Sequence, residues 1–124
     1  MNYEPIFDKW HEECGVFGVF DRTVDVARYV YWGLFALQHR GQESAGIAIT
    51  DGNEVALKKG MGLLTEAIKE LPTLKSHMGT GHVRYSTTGS NNPRNIQPLV
   101  IHYQGGQIAV AHNGNLTNAL GIRR

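Results

Sequence analysis

Apolar positions change period several times along the chain, and each change marks an element. Val16, Phe17, Val19 and Phe20 are β-formers packed into a short run, so Gly15 to Phe20 reads as a buried strand. Val26, Val30, Gly33, Leu34 and Leu37 then recur at helical spacing, which predicts an amphipathic helix over 24–39 with Gly41 placed to cap its end. Ser44 to Thr50 and Glu54 to Lys58 flank Asp51-Gly52, a two-residue hairpin signal. A short helix over Thr65 to Leu71 should stop at Pro72. Gly79 to Tyr85 is a glycine-rich strand. Ser86 to Pro98 is polar and turn-rich, long enough to suggest a functional connection. Leu99 to Tyr103 and Gln107 to His112 predict a second hairpin around Gly105-Gly106, and Asn113 to Leu120 a turn feeding a helix start. The expected class is α+β, mostly antiparallel strand with two or three helices.

That terminal helix start has about two turns, too few to be stable alone in water, so the sequence reads as part of a larger domain. Residues 1–13 read as an extension, with Pro5 and mixed charge; residues 14–124 read as one small, truncated domain. Net charge is +1 and charged residues make up 19% of the chain, which provides no footprint for nucleic acid or a membrane surface. The leader lacks the apolar stretch of a signal peptide, and no run approaches a membrane span. The expectation is a cytoplasmic chain, in which the sequon Asn115-Leu116-Thr117 is chance.

Cys14, the one cysteine, stands between the ragged leader and the first strand. It reads either as a small core hydrophobe or as a nucleophile. The second reading needs a base, since a thiol of pKa about 8.5 is only a few per cent thiolate at neutrality. Cutting the Glu13–Cys14 bond would supply one. The new α-amine, with a pKa of about 7.7–8.0, can accept the thiol proton, so nucleophile and base would share one residue. The leader would then be a propeptide.

Three further motifs carry polar groups. Gln38-His39-Arg40-Gly41-Gln42-Glu43-Ser44-Ala45-Gly46 lies between helix and strand; it is either a helix C-terminus, with Arg40 on the dipole and Gly41 as cap, or part of a site. Gly81-His82-Val83-Arg84-Tyr85-Ser86-Thr87-Thr88-Gly89 ends a strand with an arginine able to grip a carboxylate with two prongs, or is an exposed arginine before a Ser/Thr turn. Ala111-His112-Asn113-Gly114-Asn115 suits a tight turn that aims an amide and a backbone N–H at one point, as an oxyanion hole requires, or is an ordinary Asn-Gly turn. The six histidines, His11, His39, His77, His82, His102 and His112, show no metal-ligand spacing, and most read as surface or hydrogen-bonded strand residues; no metal site is expected. Gly60-Met61-Gly62 is too short for a phosphate loop.

Each motif is weak alone, but their order is specific. Cys14-Gly15, HRGQESAG, GHVRYSTTGS, Asn95-x-Gln97-Pro98 and HNGNLTNA together resemble the N-terminal part of the glutaminase domain of the glutamine phosphoribosylpyrophosphate amidotransferase family, among the class II amidotransferases. The leader is similar to the propeptide of its Bacillus-type branch. The resemblance implies an N-terminal-nucleophile hydrolase, an αββα sandwich of antiparallel sheets, here incomplete. It implies that Cys14 attacks the side-chain amide of L-glutamine to form a thioester and ammonia. Asn113 and Gly114 would hold the oxyanion, Arg84 the substrate carboxylate with Thr87 nearby, and Arg40 and Gly41 would shape the pocket.

In the whole enzyme, ammonia would pass to a second domain and displace pyrophosphate from phosphoribosylpyrophosphate (PRPP), the committed step of purine synthesis. The family also implies a homo-oligomer, Mg2+ with PRPP and, in the Bacillus-type branch, a 4Fe–4S cluster. All of these depend on regions beyond residue 124, as does an acidic residue for the substrate amino group. No cofactor is expected within this chain. The alternative expectation is a catalytically dead fragment or binding remnant that keeps the motifs.

Overall fold

In the computed structural model, which describes residues 14–38, 42–85 and 93–112, the first β-forming run is strand β1 (Cys14–Phe20). Helix α1 (Val26–Leu37) follows, then strands β2 (Gln42–Thr50) and β3 (Val55–Met61), the single turn α2 (Leu64–Ala67) and strand β4 (Met78–Tyr85). A 3-10 turn over Pro93–Asn95 leads to strands β5 (Leu99–Tyr103) and β6 (Gly106–Val110). The expected leader over 1–13, the cap at Gly41, the loop at 86–92 and the turn and helix start after His112 lie outside the described residues.

The larger sheet has the order β1-β4-β2-β3, with every neighbouring pair antiparallel. α1 covers one of its faces. Val26, Ala27, Val30 and Leu34 pack on Ala45, Ile47, Ile49 and Val83, all buried. Burying side chains of this size contributes about 1.5–3 kcal/mol each. Close approach depends on two glycines of β4. A Cβ on Gly81 would lie 2.6 Å from Leu34 Cδ1, and one on Gly79 2.8 Å from Val26 Cγ1.

Several boundaries differ from the expectations. β1 is buried on one side only: Phe17 and Val19 pack against the core, while Val16 and Phe20 are exposed. It is an outer strand, so alternation shows through. α1 starts later, because the Asp25 carboxylate caps it by accepting from Arg28 N–H at 3.3 Å. It also ends earlier, because Gln38 is already extended while its N–H bonds the Leu34 carbonyl at 2.8 Å.

The first hairpin has a four-residue loop rather than a two-residue turn, since Thr50 pairs with Val55. The Asp51 carboxylate accepts from Asn53 N–H and Glu54 N–H, each at 2.8 Å, and Gly52 takes φ +97°. Those bonds, Glu54 first, hold the Asp51 carboxyl below its ordinary pKa. α2 is shorter than expected: Leu63 provides no side-chain cap, and the turn is held by burial of Leu64 and Ile68. In the second hairpin Gly106 pairs with Tyr103, so the turn is Gln104-Gly105, one residue before the expected pair.

The α2 turn lies on the α1 side with Leu64 and Ile68 in the same core, while the face of the large sheet away from α1 carries residues 96–98 and the β5-β6 pair. Ile96 and Pro98 are buried there. Lys59 Nζ donates to the Ile96 carbonyl at 3.1 Å, and Val55 N–H donates to Gln107 Oε1 at 3.0 Å. The described layers are therefore helix, sheet, sheet, in keeping with the antiparallel sandwich. The β5-β6 pair leaves Leu99, Ile101, Tyr103, Ile108 and Val110 exposed.

Candidate active site

Register decides which side chains share the face opposite α1. Val83 is fully buried under α1, so its neighbours Arg84 and His82 project to the other side. Arg84 pairs with Cys14 on β1 and with Ser44 on β2, which makes a cross-strand row Cys14–Arg84–Ser44. Residues opposed in this way have Cβ atoms about 4.5–5.5 Å apart. The next row on that face is Val16–His82–Gly46–Lys59. Cys14 is half-buried and so is Arg84; Ser44 is buried. Tyr85 Oη donates to the Leu37 carbonyl at 3.2 Å, which ties the end of β4 beside Arg84 to the end of α1.

Gln97 and Pro98 cover the second row. A Cβ at Gly46 would collide with the Gln97 carbonyl oxygen, so glycine there permits the crossing. Gln97 Oε1 accepts from His112 N–H at 2.7 Å, which brings the chain to its described end over the same rows. His82 departs from the reading given to most of the histidines: it is 1% exposed, and neither ring nitrogen makes a hydrogen bond. Burial, the largest influence, pushes its pKa down to about 4; the adjacent His112 backbone acts next, in the opposite direction, and the charges of Arg84 and then His112 add to the depression. The ring is therefore neutral at physiological pH.

Of the seven candidate residues, the structure places Cys14 and Arg84 side by side. Arg40, Gly41, Thr87, Asn113 and Gly114 lie outside the described residues. Ser44, His82 and Gln97 share the face with no role assigned to them in the sequence reading. Strand alternation from Arg84 finds His82 two residues back. Ser44 and Gln97 lie within motifs of the resemblance, but nothing local places them on this face; strand pairing and a long connection bring them in. Among the described residues, no group of three His, Cys, Asp or Glu side chains could hold a metal ion. One cysteine cannot supply the thiolates of a 4Fe–4S cluster, so that group does not fit the residues of this chain.

The family described as Glutamine amidotransferases class-II matches residues 34–123. Amidophosphoribosyltransferases are similar along nearly the whole chain. The protein from Methanocaldococcus jannaschii is 49% identical over 114 residues, covering 90% of this chain and 24% of its own length. That from Staphylococcus aureus is 48% identical over 117 residues, covering 92% and 24%. The chain thus spans about a quarter of the length of these relatives. Among solved structures, one described as the allosteric regulatory enzyme of purine biosynthesis superposes with a TM-score of 0.78 at 45% identity, covering 87% of this chain and 24% of that one. Glutamine phosphoribosylpyrophosphate amidotransferase from Bacillus subtilis, complexed with ADP and GMP, gives 0.76 at 43% identity, covering 87% and 23%. With a family match over most of its residues, and a fold shared at this level of identity, the chain belongs to the class II glutamine amidotransferases.

Proposed function

We propose that this chain carries the glutamine-hydrolysing site of an amidophosphoribosyltransferase. The observation that carries the reading is the row Cys14–Arg84–Ser44, which sets a thiol at a strand start beside a guanidinium. Removal of residues 1–13 frees the α-amine of Cys14. That amine takes the thiol proton, and sulfur adds to the side-chain carbonyl carbon of glutamine. Asn113 and Gly114 donate to the oxyanion. As the C–N bond breaks, the amine's proton leaves with ammonia and a thioester remains. Water, losing a proton to the same amine, adds to the thioester; glutamate departs and the proton returns to sulfur.

Arg84 pairs with the α-carboxylate of glutamine, a role that suits its planar fork. Thr87 lies alongside in sequence, and Arg40 and Gly41 shape the pocket. In the full-length enzyme the ammonia goes to PRPP and yields phosphoribosylamine. Mg2+ with PRPP, a homo-oligomeric assembly and a cytoplasmic location belong to the same proposal. No helix among the described residues is long and apolar enough to cross a membrane.

The test is made on the full-length amidotransferase that carries this sequence. Intact mass should show Cys14 as the N-terminus of active enzyme, and Cys14→Ala should abolish glutamine hydrolysis. Full activity with residues 1–13 attached sinks the single-residue base. Undiminished hydrolysis by Cys14→Ala sinks the reading altogether, and no hydrolysis by the unaltered protein favours a dead remnant.

A further inference from the structure

Gln97 reaches across the sheet face to the backbone directly before Asn113. Its Oε1 accepts from the N–H of His112, the residue directly before Asn113, at 2.7 Å and across 15 positions of sequence. The platform beneath Gln97 is anchored on both sides. Ile96 is 5% exposed, its carbonyl receives Lys59 Nζ at 3.1 Å, and Pro98 is fully buried. The Gln97 carbonyl itself sits against Gly46, where a Cβ would leave no room.

We propose that Gln97 is a positioning residue: by holding the His112 peptide through its side-chain oxygen, it orients the two residues that follow, Asn113 and Gly114, as oxyanion donors. This rests on the reading of Asn113 and Gly114 given above. Oxyanion donors are effective only when held in place before charge develops. His112 lies beyond the last paired residue of β6, Val110, so the ladder does not fix its peptide. The Gln97 bond replaces the missing ladder contact. Because it acts on transition-state donors rather than on Arg84, its loss should lower kcat and leave KM for glutamine nearly unchanged.

The experiment uses the full-length enzyme and compares Gln97→Leu, which removes the acceptor, with Gln97→Glu, which keeps one. Glutamine-dependent kcat should fall about 10²-fold in Gln97→Leu, the loss expected from misplacing one donor. Gln97→Glu should restore most of it, and ammonia-dependent synthesis should be unchanged in both. In an Asn113→Ala background, Gln97→Leu should cost little more, since both act on the same oxyanion donors. Gln97→Met keeps the chain length and takes the place of Gln97→Leu where that variant does not accumulate folded. If Asn113→Ala leaves kcat intact, the oxyanion reading fails. If Asn113→Ala lowers kcat while the Gln97 variants do not, or if their losses multiply with it, Gln97 does not position these donors.

Discussion

The role proposed for Arg84 rests on register rather than on burial. It sits between Cys14 and Ser44 on a face that its neighbour Val83 cannot occupy. A guanidinium offers a carboxylate two parallel hydrogen bonds, whereas an ammonium offers a point charge. Arg84→Lys in the full-length enzyme should therefore raise KM for glutamine about ten- to hundredfold. That range corresponds to the roughly 1.5–3 kcal/mol of a hydrogen bond to a charged group. Steady-state kinetics with glutamine and with ammonia check it, and unchanged glutamine kinetics would remove Arg84 from the site. Arg84 was singled out from its motif, and the structure sets it beside Cys14. His82 was not, because the same motif gives no sign that the residue two positions back is sealed under the Gln97–Pro98 crossing.

At the scale of elements, the packing of α1 on β4 decides how the site is held. β4 presents Gly79, Gly81 and Val83 to the helix and His82 and Arg84 to the other layer, so a shift of β4 moves the candidate site directly. Gly81→Ala would press a methyl into Leu34 and Val30 at 2.6 and 2.7 Å. Overpacking of this kind costs about 1–3 kcal/mol. Chemical denaturation should show a lower midpoint at an unchanged slope, and a midpoint equal to that of the unaltered protein would mean that α1 moves away freely. The helix itself was plain from Val26, Val30, Leu34 and Leu37. Its ends were not: the stop is set where Gln38 turns extended, and the start where Asp25 closes on Arg28 N–H. Such boundaries depend on single hydrogen bonds that periodicity does not encode.

For the whole molecule, His82 links folding to pH. Its folded pKa of about 4 lies below the ordinary 6.5, so between these values the unfolded chain binds a proton that the folded protein excludes. Stability is therefore independent of this group above pH 6.5 and falls as pH drops toward 4. The loss attributable to it is on the order of 3 kcal/mol. The groups facing the ring, Arg84 and His112, reinforce that direction by their charge. Unfolding free energies measured from pH 7 to pH 4 should fall more steeply for the unaltered protein than for His82→Leu. Equal slopes would show that the ring is not held neutral. Asp21 and Asp51, with carboxyl pKa values lowered by hydrogen bonds, act in a lower window and are common to both proteins.

Period and motif order together determined a good deal: the strand at Cys14, the helix on Val26 to Leu37, the two hairpins, the antiparallel α+β class and the family. Those features are local, because a strand or an amphipathic helix is written in neighbouring residues and the motifs are contiguous strings. Tertiary structure alone decided that Cys14, Arg84 and Ser44 form one row, that β1 is an outer strand buried on one side, and that Gln97 meets His112 above Gly46. Each of these depends on which strands pair and in what register. A one-residue slip would turn Arg84 toward the helix and Val83 toward the site. Register is selected by burying Ala45, Ile47, Ile49 and Val83 together under α1, and that choice is made by the whole core at once.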